Sequence, residues 1–162
     1  LLLSKLENQQ IPTGQSRFSL DEQIRQTIVF LEPAWAAKEI EFDVEMAEVE
    51  YFGNELLMHH VWSNLLSNAV KFSPQGGLVR IGLERNRDGI EFFIHDSGPG
   101  IPEEAMKHIF DRFYQADSSH KQEGNGLGLA LVKKILQLEN GSIRAENCTD
   151  GGCKFTVYLN DT

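Results

Sequence analysis

The chain has 162 residues, of which 41% are hydrophobic and 24% charged, and this average composition excludes a disordered or fibrous protein. Its formal net charge of -9 argues against a nucleic-acid partner, because phosphate backbones are bound by clustered Lys and Arg. This length fits one ordinary domain with short tails. No apolar run approaches the roughly 18 residues of a membrane span. Two cysteines, Cys148 and Cys153, do not make a disulfide framework or a zinc site and predict free thiols in a reducing cytosol.

The first residues, LLLSKLENQQ, resemble the last turns of an apolar helix that runs into a polar exit. Breaker residues follow between Ile11 and Gly14, and the domain proper is therefore predicted to begin near Arg17. After Asp21, apolar residues at spacings of three and four predict a helix with one buried stripe, formed by Ile24, Ile28, Leu31 and Trp35.

The pattern then changes from helix to strand and back to helix. Alternating apolar residues from Ile40 to Met46 predict a half-buried strand. From Asn54 to Phe72 the pattern is helical and apolar on more than one side, as in a helix packed under a sheet. Pro74 and the glycines that follow it end this helix.

The second half of the chain predicts two hairpins and two helices. The predicted strands are Leu78 to Leu83, Ile90 to His95, Ser142 to Asn147 and Lys154 to Leu159. The predicted helices run around Glu103 to Phe110 and from about Leu127 to Glu139. Interspersed helices and antiparallel strands predict an α+β fold: a two-layer sandwich with helices on one face of a mixed, mostly antiparallel β-sheet.

Asn64, Asn68 and Lys71 stand at i, i+4 and i+7 on the long predicted helix, so they share one stripe. Amides and a lysine on an otherwise apolar helix are costly unless something occupies them. An asparagine oxygen is a hard ligand that suits Mg²⁺, and a nearby lysine suits phosphates that share this metal. The alternative, the solvated face of an amphipathic helix, is equally open at this point.

The segment HDSGPGIP places Asp96 at the end of a strand, directly before Gly98 and Gly100. Glycines permit close backbone approach, so a flat ligand could reach this carboxylate and hydrogen-bond to it. Ordinary turn chemistry explains the segment in isolation at least as well.

The segment GNGLGLAL carries glycine at every second position, at Gly124, Gly126 and Gly128, and leads straight into a helix. Amides at a helix N-terminus form an anion site, and the glycines would let phosphate oxygens approach. The spacing is not that of a Walker loop or a dinucleotide fingerprint, and flexible loops often contain such glycines. The polar stretch from Gln115 to Gly124 is expected to be a mobile lid.

Between the two glycine segments, IFDRFYQAD brings Phe110, Phe113 and Tyr114 together with Arg112. Packing is the ordinary role of such an aromatic cluster. Arg112 could contact a phosphate or pair with a surface carboxylate.

Taken in order, NLLSNAVKF, DSGPGIP, FDRFY and GNGLGLAL resemble the N, G1, F and G2 boxes of sensor histidine kinases. The resemblance runs from about Arg17 to Leu159, and the F box favours this family over the Hsp90, DNA gyrase and MutL-type ATPases of the wider superfamily. It implies the Bergerat fold, which agrees with the α+β prediction. It also implies two parts: residues 1–16, the end of a dimerisation helix and a linker, and residues 17–162, an ATP-binding catalytic domain.

The resemblance implies roles for the boxes. Asn68 would coordinate Mg²⁺, Asn64 would sit beside the phosphates of ATP, and Lys71 would contact them. Phe72 would lie against the nucleotide, where many relatives have Tyr.

Asp96 would accept the adenine N6 amino proton, while Gly98 and Gly100 would shape the base pocket. The resemblance assigns the hinge of the lid and its phosphate-binding amides to Gly124, Gly126 and Gly128. It also assigns four neighbouring residues to nucleotide binding: Ile101, Tyr114, Leu127 and Leu129.

Two positions depart from the pattern of the family. His60 stands one turn before Asn64, where relatives often have Gln, and Gln115 follows the F box where many have Arg. Without an arginine at position 115, one phosphate contact of the family is in doubt, and Arg112 becomes the candidate for that contact. His60 could touch the site, although a packed or solvated histidine is the ordinary explanation.

The family phosphorylates a histidine on a dimerisation hairpin with ATP and then transfers the phosphate to an aspartate of a response regulator. LLLSKLE resembles the end of the second helix of that hairpin. None of the five histidines sits in a phosphoacceptor box: His59, His60, His95, His108 and His120. The phosphoacceptor is therefore expected outside this chain. The implied partners are ATP, the hairpin and a receiver domain, within a homodimer anchored in the bacterial membrane with this domain in the cytoplasm.

Two rival functions share the fold. One is an interaction domain gated by nucleotide without transfer, and the other is a serine kinase of the anti-sigma type. Intact Asn68, Asp96 and lid glycines favour an active kinase over the first. The F box and the helix-like LLLSKLE weaken the second.

Overall fold

The computed structural model describes residues 2–11, 14–114 and 128–160. The helices are α1 (Leu2–Glu7), α2 (Leu20–Phe30), α3 (Glu32–Ala37), α4 (Glu55–Phe72), α5 (Glu103–Met106) and α6 (Gly128–Leu138). The strands are β1 (Ser16–Ser19), β2 (Glu41–Met46), β3 (Glu50–Gly53), β4 (Leu78–Asn86), β5 (Gly89–His95), β6 (Gly141–Asn147) and β7 (Cys153–Leu159).

Five strands form the main sheet in the order β2-β4-β5-β7-β6. The β2–β4 pair is parallel, and the other three pairs are antiparallel. The parallel pair requires a crossover, and the chain makes it through β3 and α4. The predicted α+β class with a mixed, mostly antiparallel sheet is therefore confirmed.

The core lies between one face of this sheet and the helices. Alternate residues of β4 and β5 point into it, and α4 is apolar on a wide face, so its buried side chains pack against them. The Trp62 and Phe92 rings lie 4.7 Å apart at the centre, and both side chains are almost fully buried. Each such buried side chain contributes about 2–3 kcal/mol. The prediction of a helix packed under a sheet is confirmed.

Caps fix both ends of α4. The Asn54 side chain accepts the Leu57 amide proton at 3.0 Å at the N-terminus. At the C-terminus, Lys38 Nζ donates to the carbonyls of Val70 and Lys71 at 2.8 and 3.0 Å. These bonds define where the helix that carries the candidate site begins and ends.

The single helix predicted after Asp21 is wrong in one respect, because the structure has two helices separated at Leu31. Pro33 stands in the first turn of α3, where its missing N–H and its ring prevent α2 from continuing. The predicted apolar stripe still faces the core: Ile24 is fully buried, and Ile28, Leu31 and Trp35 pack against it.

Two strands were not predicted: β1 and β3, which pair as a separate two-stranded sheet. Each has four residues, too few to display an alternating pattern. The helix predicted to extend to Phe110 is shorter than expected, since α5 ends at Met106 and turns follow.

The segment that precedes β1 packs on the rest of the fold. Leu3 and Leu6 of α1 are buried, and Leu6 belongs to the main core cluster. The proposed boundary near residue 17 stays a prediction. Among the described residues, no helix combines the length and the apolar character that crossing a membrane requires.

Candidate functional site

The predicted polar stripe lies on α4, with Asn64, Asn68 and Lys71 all partly exposed. Asn64 Nδ2 donates to the His60 carbonyl at 2.7 Å, which fixes the orientation of the amide. Its Oδ1 faces α6, because a Cβ on Gly128 would lie 2.8 Å from that oxygen. The Asn64 end of the stripe therefore lies against the first residue of α6.

Asp96 follows β5 and is 7% exposed. The hydrogen bonds that the described residues make to its side chain end on Oδ1, which accepts the amide protons of Gly98 at 2.9 Å and Cys153 at 3.3 Å. Burial raises the pKa of Asp96 above its usual value, while these two amides and nearby His95 partly oppose the increase. The carboxylate is thus held in one orientation in a partly desolvated position.

Gly98 brings the Asp96 turn against the C-terminal end of α4. A Cβ at this position would collide with the Phe72 carbonyl oxygen, so only glycine allows this approach. Phe72 itself is 41% exposed, and Lys71 Nζ lies 5.2 Å from the centre of its ring. The turn and the helix therefore form one continuous surface.

Asn147, the last residue of β6, was not predicted as a site residue. Its Oδ1 accepts the Ile101 amide proton at 2.8 Å, and its Nδ2 donates to the Ile101 carbonyl at 2.7 Å. This pair of bonds fixes the turn at Gly100, where φ is +83° and a Cβ would approach Asn147 Oδ1 within 2.9 Å. Ile101 packs against the core. No local sequence signal links positions 46 residues apart.

Gly152 is a second residue that sequence reasoning missed. It adopts a φ of +78°, and a Cβ there would collide with the Asp96 carbonyl. The turn between β6 and β7 can therefore pack directly on the Asp96 backbone. The adjacent glycines at positions 151 and 152 marked a turn but not its contact with Asp96.

The residues of the predicted F box lie beside α1 and the last strand. Arg112 donates to Glu7 Oε1 at 2.8 Å and to Ser4 Oγ at 3.1 Å, so in this structure its guanidinium is engaged by α1. The partly exposed Tyr114 ring lies 5.4 Å from His108. The ring of Phe110 lies 6.3 Å from Phe155, which is a packing contact.

Of the other residues predicted for the site, some lie in the part of the chain that the structure describes and some lie outside it. Gly128 begins α6, and Leu129 packs partly buried against the core. Gly124, Gly126, Leu127 and the polar stretch before them lie outside the described residues. His60 is partly buried, and burial together with neighbouring His59 lowers its pKa.

The chemistry of this surface differs between its two ends. A buried carboxylate and close-packed glycines at one end suit the hydrogen-bonding edge of a flat base. Asn64 and the start of α6 form the other end, and together with Asn68 and Lys71, which lie along α4 between the two ends, they suit phosphates. The oxygens of Asn64 and Asn68 are hard donors on one partly exposed stripe, and such a donor set fits Mg²⁺ bound together with phosphate.

Comparison with known proteins identifies relatives over the same residues. The family described as histidine kinase-, DNA gyrase B-, and HSP90-like ATPase matches residues 53–162. Heme sensor protein HssS of Staphylococcus aureus strain JH9 is 33% identical over 159 residues, which are 98% of this chain and 34% of that protein. Hybrid signal transduction histidine kinase D of Dictyostelium discoideum is 42% identical over 109 residues, 63% of this chain and 7% of that protein. The chain thus spans about a third of the length of its HssS relatives.

Solved structures share the architecture. The catalytic domain of histidine kinase ThkA has a TM-score of 0.83 at 27% identity, with 93% of this chain and 97% of that chain covered. The mycobacterial sensor histidine kinase MprB has a TM-score of 0.80 at 28% identity, with 90% and 97% covered. Together with the four ordered boxes and the mixed sheet, these matches show that the chain belongs to the family of histidine kinase-, DNA gyrase B-, and HSP90-like ATPases, as an ATP-binding catalytic domain of the sensor histidine kinase type.

Proposed function

We propose that this chain binds Mg-ATP and presents its γ-phosphate to a histidine on a dimerisation hairpin that the chain does not contain. The observation that carries the proposal is the continuous surface formed by the Asp96 turn, the α4 stripe and the start of α6. It joins a site for a base to a site for phosphates. Phosphoryl transfer requires mainly positioning and charge neutralisation from the protein, and this surface has groups for both.

The base would bind at the Asp96 turn. Because Oδ1 accepts two backbone amide protons, Oδ2 is the atom that we assign to the adenine N6 amino group. Gly98, Gly100 and Ile101 would form the walls, and the exposed ring of Phe72 would lie against the nucleotide. A pocket with a fixed acceptor selects a base that carries an amino group at this position.

The phosphates would bind along α4 and at the start of α6. Asn68 would be the metal ligand, with Asn64 and Lys71 beside the phosphates. Mg²⁺, when bound, supplies neutralisation of phosphate charge. This neutralisation matters in a chain of net charge -9, where the overall field opposes an anionic ligand.

The phosphate-binding set is completed by residues at the start of α6 and in the two boxes flanking the predicted lid. Gly128 and Leu129 would offer backbone amides, and we retain Tyr114, Gly124, Gly126 and Leu127 as predicted members. Arg112 could contact phosphate only after giving up its bonds to Glu7 and Ser4.

The wider role of the protein extends the same proposal. After transfer to the histidine, the phosphate would pass to an aspartate of a response-regulator receiver domain. We further propose a homodimer anchored in a bacterial membrane, with this domain in the cytoplasm. HssS and ThkA are named as a sensor protein and a histidine kinase, which supports this context. The acidic net charge supports the absence of a nucleic-acid partner.

Binding and transfer can be tested separately with γ-labelled ATP. The chain alone should bind Mg-ATP and remain unlabelled, because none of its histidines lies in a phosphoacceptor box. Addition of a separate dimerisation hairpin with its histidine should give acid-labile label on the hairpin, slowly, since no tether raises the local concentration. Strong self-labelling of the chain on His60 or His120 would contradict this division of roles.

A further inference from the structure

Three different metal-ligating side chains meet where the β6–β7 turn passes the end of β5. His95 is the last residue of β5, and Cys148 and Asp150 stand in the turn. One imidazole nitrogen, the thiol sulfur and one carboxylate oxygen all lie within 4.8 Å of one another. The distance between His95 Nε2 and Asp150 Oδ1 is already 3.8 Å.

The backbone fixes the position of this cluster. The Gly151 amide donates to the Cys148 carbonyl at 3.0 Å, and the Cys148 amide donates to the Gly152 carbonyl at 3.1 Å. The His95 side chain is 15% exposed, and its Nε2 donates to the Gly151 carbonyl at 2.9 Å, a bond that this nitrogen would have to give up to bind a metal. The fold therefore positions His95 beside the turn, whereas the Asp150 side chain is 65% exposed and can turn toward an ion.

The charge around the cluster favours a cation. The carboxylates of Asp150, Glu146 and Asp96 act electrostatically on the Cys148 side chain, and Lys154 opposes them. The negative potential of these carboxylates attracts a divalent ion.

The donor set distinguishes between classes of metal. Mg²⁺ and Ca²⁺ take oxygen ligands, whereas a thiol, an imidazole and a carboxylate together suit Zn²⁺ and similar ions. Tetrahedral zinc separates its ligand atoms by roughly 3.3–3.7 Å, as follows from bond lengths of about 2.0–2.3 Å. The His95–Asp150 distance of 3.8 Å is close to this range, and binding would draw the remaining ligand atoms, now within 4.8 Å of one another, together by up to about 1 Å.

We propose that His95, Cys148 and Asp150 bind one divalent cation of the Zn²⁺ class, with water in the fourth position. Counting cysteines does not anticipate this site, because it uses one thiol with two other ligand types. None of the three residues is assigned to ATP, so the proposal goes beyond nucleotide binding and does not depend on it. The site is nevertheless adjacent to the base pocket, since His95 directly precedes Asp96.

The test uses the whole 162-residue chain without an affinity tag, under reductant and without nucleotide. Calorimetric titration with Zn²⁺ should show one ion per chain, and titration with Co²⁺ should show a thiolate-to-cobalt charge-transfer absorption. Cys148→Ser should abolish this absorption. His95→Gln and Asp150→Asn should each weaken Zn²⁺ binding at least about tenfold.

Two matched variants serve as controls. Cys153→Ser removes the other thiol, and His108→Gln removes a histidine that also contacts a carboxylate, that of Asp111 at 2.9 Å. Both should keep the affinity of the parent for Zn²⁺. The proposal is overturned if the parent gives no charge-transfer band with Co²⁺, or if His95→Gln binds Zn²⁺ as tightly as the parent. The Co²⁺ titration of the parent chain tests the proposal without any substitution, so its result does not depend on whether a variant folds.

Discussion

Asp96 is held by residues from two distant parts of the chain. Gly98 is two positions away, whereas Cys153 and Gly152 come from the final hairpin. Neutral amide bonds to a carboxylate contribute roughly 1.5–3 kcal/mol each and fix its direction. The side chain is therefore oriented before any ligand arrives, which reduces the entropic cost of binding.

Asp96→Asn should test the base assignment. The amide keeps the size of the carboxyl group but can present a donor where the adenine amino group needs an acceptor, so ATP affinity should fall at least about tenfold. Asp43→Asn, on the exposed edge strand β2, is the matched control and should bind ATP like the parent. Calorimetry that finds equal ATP affinity for Asp96→Asn and the parent would show that the assignment is wrong.

Asn68→Ala should reveal the metal role. Removal of a ligand oxygen should weaken ATP binding in the presence of Mg²⁺ and change it much less in its absence. Ser67→Ala changes the neighbouring exposed position and should have no effect. Equal losses with and without Mg²⁺ would indicate that Asn68 has only a structural role.

The ionisation of Asp21 should make the free energy of unfolding depend on pH in the acidic range. Asp21 is 5% exposed and accepts bonds from the Val49 amide, Ser19 Oγ and Arg25. Burial by itself raises the pKa of Asp21, but these bonds outweigh it and hold the pKa below the usual 3.8. The carboxylate therefore stabilises the fold above pH 3.8, and this contribution is lost as pH falls through the lower pKa of the folded state.

Asp21→Asn should thus lower the free energy of unfolding by about 1–3 kcal/mol at pH 7. The difference from the parent should shrink in acid below pH 3.8. Urea unfolding over a pH series measures both. Asp88→Asn, in the exposed turn between β4 and β5, should show neither effect. A difference that stays constant into acid would contradict the ionic role.

At the residue scale, sequence reasoning identified the side chains with distinctive chemistry and missed those that support them. Asp96 and the α4 stripe were predictable because carboxylates, amides and glycines stand out in local patterns. Asn147 and Gly152 support the site through contacts with residues 46 and 56 positions away, which no local pattern contains. Roles toward ATP and Mg²⁺ stay predictions until a ligand is measured.

At the scale of elements, one carboxylate joins the two helices of the site. Glu139, directly after α6, accepts bonds from Tyr51 Oη and from the Asn54 amide, both at 3.0 Å. Asn54 is the N-cap of α4, so the end of α6 is tied to the beginning of α4. Burial, followed by the charge of Glu139, raises the pKa of Tyr51, which keeps the phenol protonated as the donor.

Glu139→Ala should lower the free energy of unfolding by about 2–4 kcal/mol, because it removes the carboxylate that accepts from two buried donors. Glu139→Gln retains an acceptor oxygen and should cost much less. Chemical unfolding of both variants beside the parent measures the difference. Equal losses would show that the charge of Glu139, rather than its hydrogen bonds, provides the stabilisation.

Long elements with clear periodicity were predicted well, and short ones were not. The α4 helix and the hairpin strands matched their patterns because many residues contribute to each period. The α2–α3 break depended on Pro33, whose effect was overlooked in an otherwise regular stripe. The order of the strands in the sheet could not be predicted either, because periodicity identifies a strand but not the strands that pair with it.

At the scale of the whole molecule, the last strand occupies an interior position. β7 lies between β5 and β6 in the sheet order, although it follows both strands in the sequence. Its buried side chains Phe155, Val157 and Leu159 complete the core. Residues 152–159 are therefore needed both for the continuity of the sheet and for the support of Asp96.

This placement has a consequence for the synthesis of the protein. A growing polypeptide emerges from the ribosome with Asp96 and the α4 stripe long before β7 has been made. Until the final hairpin forms, Asp96 lacks the Cys153 amide and the packing of Gly152. A nascent polypeptide in which β7 has not yet been made would therefore lack the contacts that orient Asp96 for the proposed contact with the base.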